Sequence, residues 1–100
     1  MAMLIFLIMV EDEKSRPKLE LLYNNYKYTM LYVAKSILKD QYLAEDAVHK
    51  AFIKIIDNLH KIDDQLCNKT KSFLVIVVRN ISIDMYNHIK KQNIVNFDET

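Results

Sequence analysis

Glycine is absent from this 100-residue chain, and proline occurs once, at Pro17. A β-rich fold of this size needs tight turns and usually glycine to make them, so its absence favours an all-α chain. It also excludes a Gly-rich loop that cradles phosphate. Cysteine occurs once, at Cys67. No internal disulfide can form, nothing points to secretion, and the residue reads most simply as a free thiol in a loop. Long hydrophobic runs are lacking too. The longest, which opens the chain and includes Met3 to Val10, falls far short of the roughly 20 apolar residues that span a bilayer. It has no basic stretch before it and no small-residue cleavage site, and acids follow at once, unlike a signal peptide. The run is expected to belong to a buried N-terminal helix of a cytoplasmic protein with no membrane partner.

The chain is 51% hydrophobic and 27% charged, which excludes disorder and suits a soluble bundle. At this length it forms one domain, with a core only if most helical faces contribute to it. A net charge of +1 says little, but its distribution says more. Glu11, Asp12 and Glu13 make the early chain acidic. From Lys69 to Lys91 the cations Lys69, Lys71, Arg79, Lys90 and Lys91 face a single acid, Asp84. Such a bias serves a phosphate backbone, or equally a solvated basic helix end.

Helical periodicity organises the rest. Pro17 fits the first turn of a helix, where a missing N–H costs nothing, with Ser15 or Arg16 before it. Leu19, Leu22, Tyr23, Tyr26, Met30, Val33, Ala34 and Ile37 then repeat at three-four spacing to about Leu38. Lys39-Asp40 breaks the pattern, and Asp40 is a good N-cap for the next helix. There Ala44, Ala47, Val48, Ala51, Phe52, Ile55, Leu59 and Ile62 form one stripe. Glu45, Asp46, His49, Lys50, Lys54 and Asp57 point elsewhere, and the two acids at the start complement the helix dipole. Residues 63–70 read as a polar loop with Asn68 or Thr70 capping a last helix from about Lys71 to Lys91. The continuous apolar run Phe73 to Val78 also fits a buried strand. Phe73, Val77, Ile81 and Met85 hold a period of four, and no second strand exists to pair with it, so a helix is expected.

Catalysis has little to work with. His49, His60 and His88 lie far apart, and no His-x-x-x-His or Cys-x-x-Cys spacing offers a metal site. Glu45 and Asp46 are adjacent, so on a helix they diverge rather than converge as an acid–base pair. Neither enzyme activity, cofactor nor metal is expected.

Two segments, in this order and at this separation, carry the most information. One is Leu43 to Phe52, amphipathic with an acidic opening. The other is Phe73 to Asp84, apolar with Arg79, Asn80 and Asp84 set into it at helical spacing. Together they resemble region 2 of a bacterial sigma factor of the extracytoplasmic-function type, the part that holds RNA polymerase and melts the promoter −10 element. The resemblance runs from about Lys18 to Lys91. Leu19 to Tyr26 is similar to the family's opening F-x-x-L-Y-x-x-Y, with Leu19 in place of the aromatic residue. Leu38 to Phe52 resembles L-x-D-x-x-x-A-E-D-x-V-Q-E-x-F, with His49 and Lys50 where Gln and Glu are usual. Phe73 to Asp84 resembles F-L-x-x-I-A-R-N-x-A-I-D, with Val78 replacing a small residue.

The resemblance implies an all-α, compact helical bundle of the sigma region 2 type over residues 1–93, with an N-terminal apolar helix, and a linker starting at 94–100. It implies that Asp46, His49, Lys50 and Ile53 dock on the clamp helices of the polymerase β′ subunit. It further implies that Leu66, Lys69, Lys71, Arg79, Asn80, Asp84, Lys90 and Lys91 meet the −10 non-template strand of promoter DNA. Asn80 offers a donor and an acceptor to a base edge. The loop itself carries no aromatic platform, so a flipped base is expected to rest on loop backbone, Leu66 and Asn80. Arg79 and Asp84 also admit a structural role, bonding through neighbouring helices. Lys90 and Lys91 suit phosphate contact and a solvated helix end equally. An anti-sigma factor is a further partner that the resemblance brings. The helix-turn-helix domain that reads the −35 element in full sigma factors does not appear, so the chain is expected to be an excised domain or a truncated factor. The alternative to a DNA-melting domain is a helical interaction module that binds no DNA, such as a sigma-like decoy occupying polymerase.

Overall fold

A computed structural model describes Phe6, residues 8–10, 13–62 and 67–99, with side chains through Gln92. Three long α-helices carry these residues: α1 (Arg16–Leu38), α2 (Gln41–Asp57) and α3 (Asn68–Glu99). A 3-10 turn, Glu13–Ser15, leads into α1, and a second, Leu59–Lys61, follows α2. Each α-helix packs against the other two. No strand occurs among the described residues, and Phe73 to Val78 is helical as its continuation through Ile81 and Met85 predicts.

The helix ends follow local chemistry. Pro17 lies in the first turn of α1, and Ser15 precedes it without a side-chain cap bond. At the other end Lys39 takes the left-handed conformation, φ 59°, and its N–H donates to the Lys35 carbonyl at 2.9 Å. That position usually belongs to glycine, which has no Cβ to clash there, and this chain has none. Asp40 then caps α2, its Oδ1 accepting from the Leu43 N–H at 2.9 Å. α2 ends at Asp57, short of Ile62, yet Leu59 and Ile62 stay buried because the 3-10 turn folds them back onto the same core.

The α2 stripe is buried in full. Ala44, Ala47, Ala51, Phe52 and Ile55 are inaccessible to solvent. The three alanines let neighbouring backbones approach, and Phe52 fills the space beside them. Its ring lies 5.1 Å from Tyr23 of α1 and 5.6 Å from Phe6, tilted as aromatic pairs prefer. Phe6 and Val10 are buried, but Ile8 is 71% exposed and Met9 lies out as well. Of the four described residues of the segment expected to form a buried helix, two are therefore buried and two are not.

α3 differs most from expectation. It begins at Asn68, so Lys69 and Thr70 are helical and residues 68–70 are not loop. Cys67 stands at the cap position, its carbonyl accepting from Lys71 N–H at 3.0 Å. Thr70 is buried inside the first turn, with its Oγ1 3.4 Å from Cys67 Sγ. The inward stripe is Thr70, Leu74, Val77, Val78 and Ser82, whereas Phe73 turns outward. Ser82 enters the core at no loss because its hydroxyl donates to the Val78 carbonyl at 2.7 Å. No buried side-chain polar atom among the described residues lacks a partner. Beyond Ser82 no described residue of α3 is fully buried. The helix nevertheless continues to Glu99, through the segment expected to start a linker. At about 1.5 Å per residue it spans on the order of 48 Å, most of the 54 Å long axis of the molecule.

Candidate nucleic-acid interface

A groove of about 520 Å³ opens where the chain leaves the second 3-10 turn and enters α3. Asn58, Lys61 and Ile62 line one wall, and Lys69, Thr70 and Phe73 the other. Its size is that of ligand-binding clefts. Residues 63–66 connect the walls and lie outside the described residues, and with them Leu66. Phe73, 39% exposed, lines this groove together with the exposed cations Lys61 and Lys69. Sequence reasoning placed no aromatic platform here, because it searched only the loop and read Phe73 as part of the apolar repeat of the last helix. Lys61 was missed as well, since the cation count began at Lys69.

The remaining residues are set by helical geometry. At about 100° per residue, Lys69, Phe73, Ile76, Asn80, Asp84, Asn87 and Lys91 fall along one side of α3. All of them are exposed. Arg79 and Lys90 are exposed further round the helix, and Lys71 lies on the opposite side from Lys69. The structure thus groups Lys69, Asn80, Asp84 and Lys91, and leaves Lys71 apart. Asn80 does not line the groove; it stands two turns along from Phe73, roughly 10 Å. Arg79, Asn80 and Asp84 make no hydrogen bond or ion pair among the described residues, so none of the three serves as an internal strut there.

A second surface lies on α2. Asp46, Lys50 and Ile53 form a stripe at three-four spacing, with Tyr42 at its N-terminal end and 82% exposed. Lys50 Nζ is 3.3 Å from Asp46 Oδ2, both side chains about half exposed, so the pair neutralises part of the acidic charge. Ile53 is partly covered by the core. His49 sits at the margin of the stripe with its ring 4.9 Å from Phe6, so it is half-buried by the N-terminal segment and does not point freely outward. Tyr42 escaped sequence reasoning because a lone tyrosine beside a capping residue carries no pattern of its own.

Beside His49 a smaller groove of about 270 Å³ is lined by Phe6, Tyr23, Lys27, Leu31, Glu45 and Val48. The Lys27 ammonium lies 5.0 Å from the centre of the Tyr23 ring. Its pKa is raised above the ordinary lysine value, first by a hydrogen bond with Tyr23, while burial acts the other way. Among the described residues no group of His, Cys, Asp and Glu could hold a metal ion, and no helix is long and apolar enough to cross a membrane.

Residues 22–93 match the family model described as Sigma-70 region 2. The match covers α1 from Leu22, all of α2, and α3 to Asn93. No curated protein and no solved structure matches the chain.

Proposed function

We infer the action of this chain from the fact that it belongs to the sigma-70 region 2 family, a non-enzymatic transcription-initiation domain that binds RNA polymerase and the promoter −10 element. The finer reading is that of a cytoplasmic factor of the extracytoplasmic-function type, whose patterns Leu38 to Phe52 and Phe73 to Asp84 follow. Tyr42, Asp46, Lys50 and Ile53 dock on the β′ clamp helices, with His49 at the edge of the contact. The groove at Phe73 receives a base of the −10 non-template strand once it leaves its stack, between the phosphate-binding cations Lys61 and Lys69. Asn80 pairs with the edge of another base. Its separation from Phe73 of roughly 10 Å exceeds the 3.4 Å step of stacked bases, so the two residues hold different nucleotides. Lys91, on the same side, and Lys90 reach phosphates further along. Strand opening is then driven by trapping unstacked bases, with no bond made or broken.

The observation that carries this reading is the groove lined by Phe73 and two lysines, on the same side of α3 as an exposed and unpartnered Asn80. Fluorescence titration with −10 single strands that differ at one position tests it. Tight binding that drops on a single base change supports it. Capture by β′ clamp helices with no affinity for any single strand would instead make the chain a polymerase-bound decoy.

A further inference from the structure

The outer face of α1 has no place in that account. From Asn24 to Lys39 the chain carries Lys27, Lys35 and Lys39 and no acid. Tyr28 and Tyr32, one turn apart on one face, are 74% and 76% exposed. Two rings left in water forgo the burial that drives folding, and no described residue covers them. Lys35 shares their face and Lys39 ends the helix one turn on; neither has an ion pair among the described residues. Lys27 Nζ lies 5.6 Å from the Tyr28 ring, at the flank of the same face.

We propose that this face of α1 binds single-stranded nucleic acid without regard to sequence, stacking bases on Tyr28 and Tyr32 and holding phosphates with Lys27, Lys35 and Lys39. Acids stand only at its edges, Glu45 of α2 near Lys27 and Asp40 after Lys39, and the excess of cations favours an anionic occupant. The aromatic rings select for an anion with flat faces, and every base has one. Four residues of helix separate the tyrosines by about 6 Å, nearly two steps of 3.4 Å along a stacked strand. A stretched strand therefore fits, and a duplex, whose bases stay stacked on each other, offers the rings nothing. The face is on a different helix from Phe73 and Asn80 and does not depend on their role.

The test is anisotropy titration of the full chain against fluorescein-labelled oligothymidylate, which contains no −10 sequence. Tyr28→Ser with Tyr32→Ser should weaken binding at least about tenfold, since each stacked base contributes about 1–3 kcal/mol. Circular dichroism should show unchanged helicity, because both rings are exposed. Lys35→Gln with Lys39→Gln should flatten the dependence of log affinity on log salt by about 0.7 for each phosphate released. The double tyrosine variant should still discriminate between −10 single strands that differ at one base, which keeps a failure on α1 distinct from a failure on α3. The proposal is overturned if the parent chain does not bind oligothymidylate, or if the double tyrosine variant binds as the parent does. It is equally overturned if polyglutamate or duplex of equal charge competes as well as single strand. An acidic protein segment would then suit the face no less.

Discussion

α2 and α3 reach opposite arrangements. In α2 the inward residues are closed in by α1, α3 and the N-terminal segment, and the outward residues also have partners: Asp46 with Lys50, Gln41 with Glu45, His49 with Phe6. In α3 full burial gives out after Ser82, with Met85 packing only in part, and the outward Arg79, Asn80 and Asp84 have no partner among the described residues. The difference separates two ways of meeting another molecule. A surface already bonded to itself presents a fixed shape, as docking on a protein demands. Polar groups satisfied only by water can exchange that water for a base or phosphate without breaking internal bonds.

Opposite outcomes for two phenylalanines would sharpen this contrast most. Phe52→Ala, emptying the α2 core, should cost about 3–5 kcal/mol in urea denaturation. Phe73→Ala should change stability far less and instead reduce single-strand affinity by about 1–3 kcal/mol. Equal stability losses would mean that Phe73 is a core residue and the groove has no platform. Asn80→Ala comes next, with roughly 1–3 kcal/mol of discrimination lost at one −10 base and stability held within about 0.5 kcal/mol. A variant that discriminates like the parent would return base selection to the groove.

Lys39→Gly addresses the joint between α1 and α2. Relief of the left-handed strain, offset by the greater freedom of glycine in the unfolded chain, should leave a gain of about 0.5–1 kcal/mol. Thermal melts should show it as a rise of about 2–8 °C in Tm. Asp46→Arg is the smallest effect on the fold, removing a half-exposed pair of about 0.3–0.5 kcal/mol. Its main readout is weaker capture by β′ clamp helices at unchanged helicity, and capture that survives would put the docking face elsewhere.

The Asp40 cap, the turn between α1 and α2, and every buried position of the α2 stripe were legible in the sequence. Each was readable because polar and apolar residues alternate there at helical spacing, which fixes both helix and orientation. The candidate site was legible by residue type more than by arrangement. Asn80, Lys69 and Lys91 fall on one side of α3 as their spacing requires, while Lys71 does not join them and the continuous apolar run around Phe73 does not mark which side it takes.

Periodicity, a single proline and an acid at Asp40 determined by themselves that this chain is helical, where α1 begins and ends, and where α2 begins. Which side of α3 faces inward was decided by tertiary structure. From Phe73 to Val78 every residue is apolar, so the segment has no polar side to orient it. Its rotation is set by the shapes that α1 and α2 present. Those shapes accept Thr70, Leu74, Val78 and Ser82, two of them polar, because small side chains with local hydrogen bonds pack close where a phenyl ring does not.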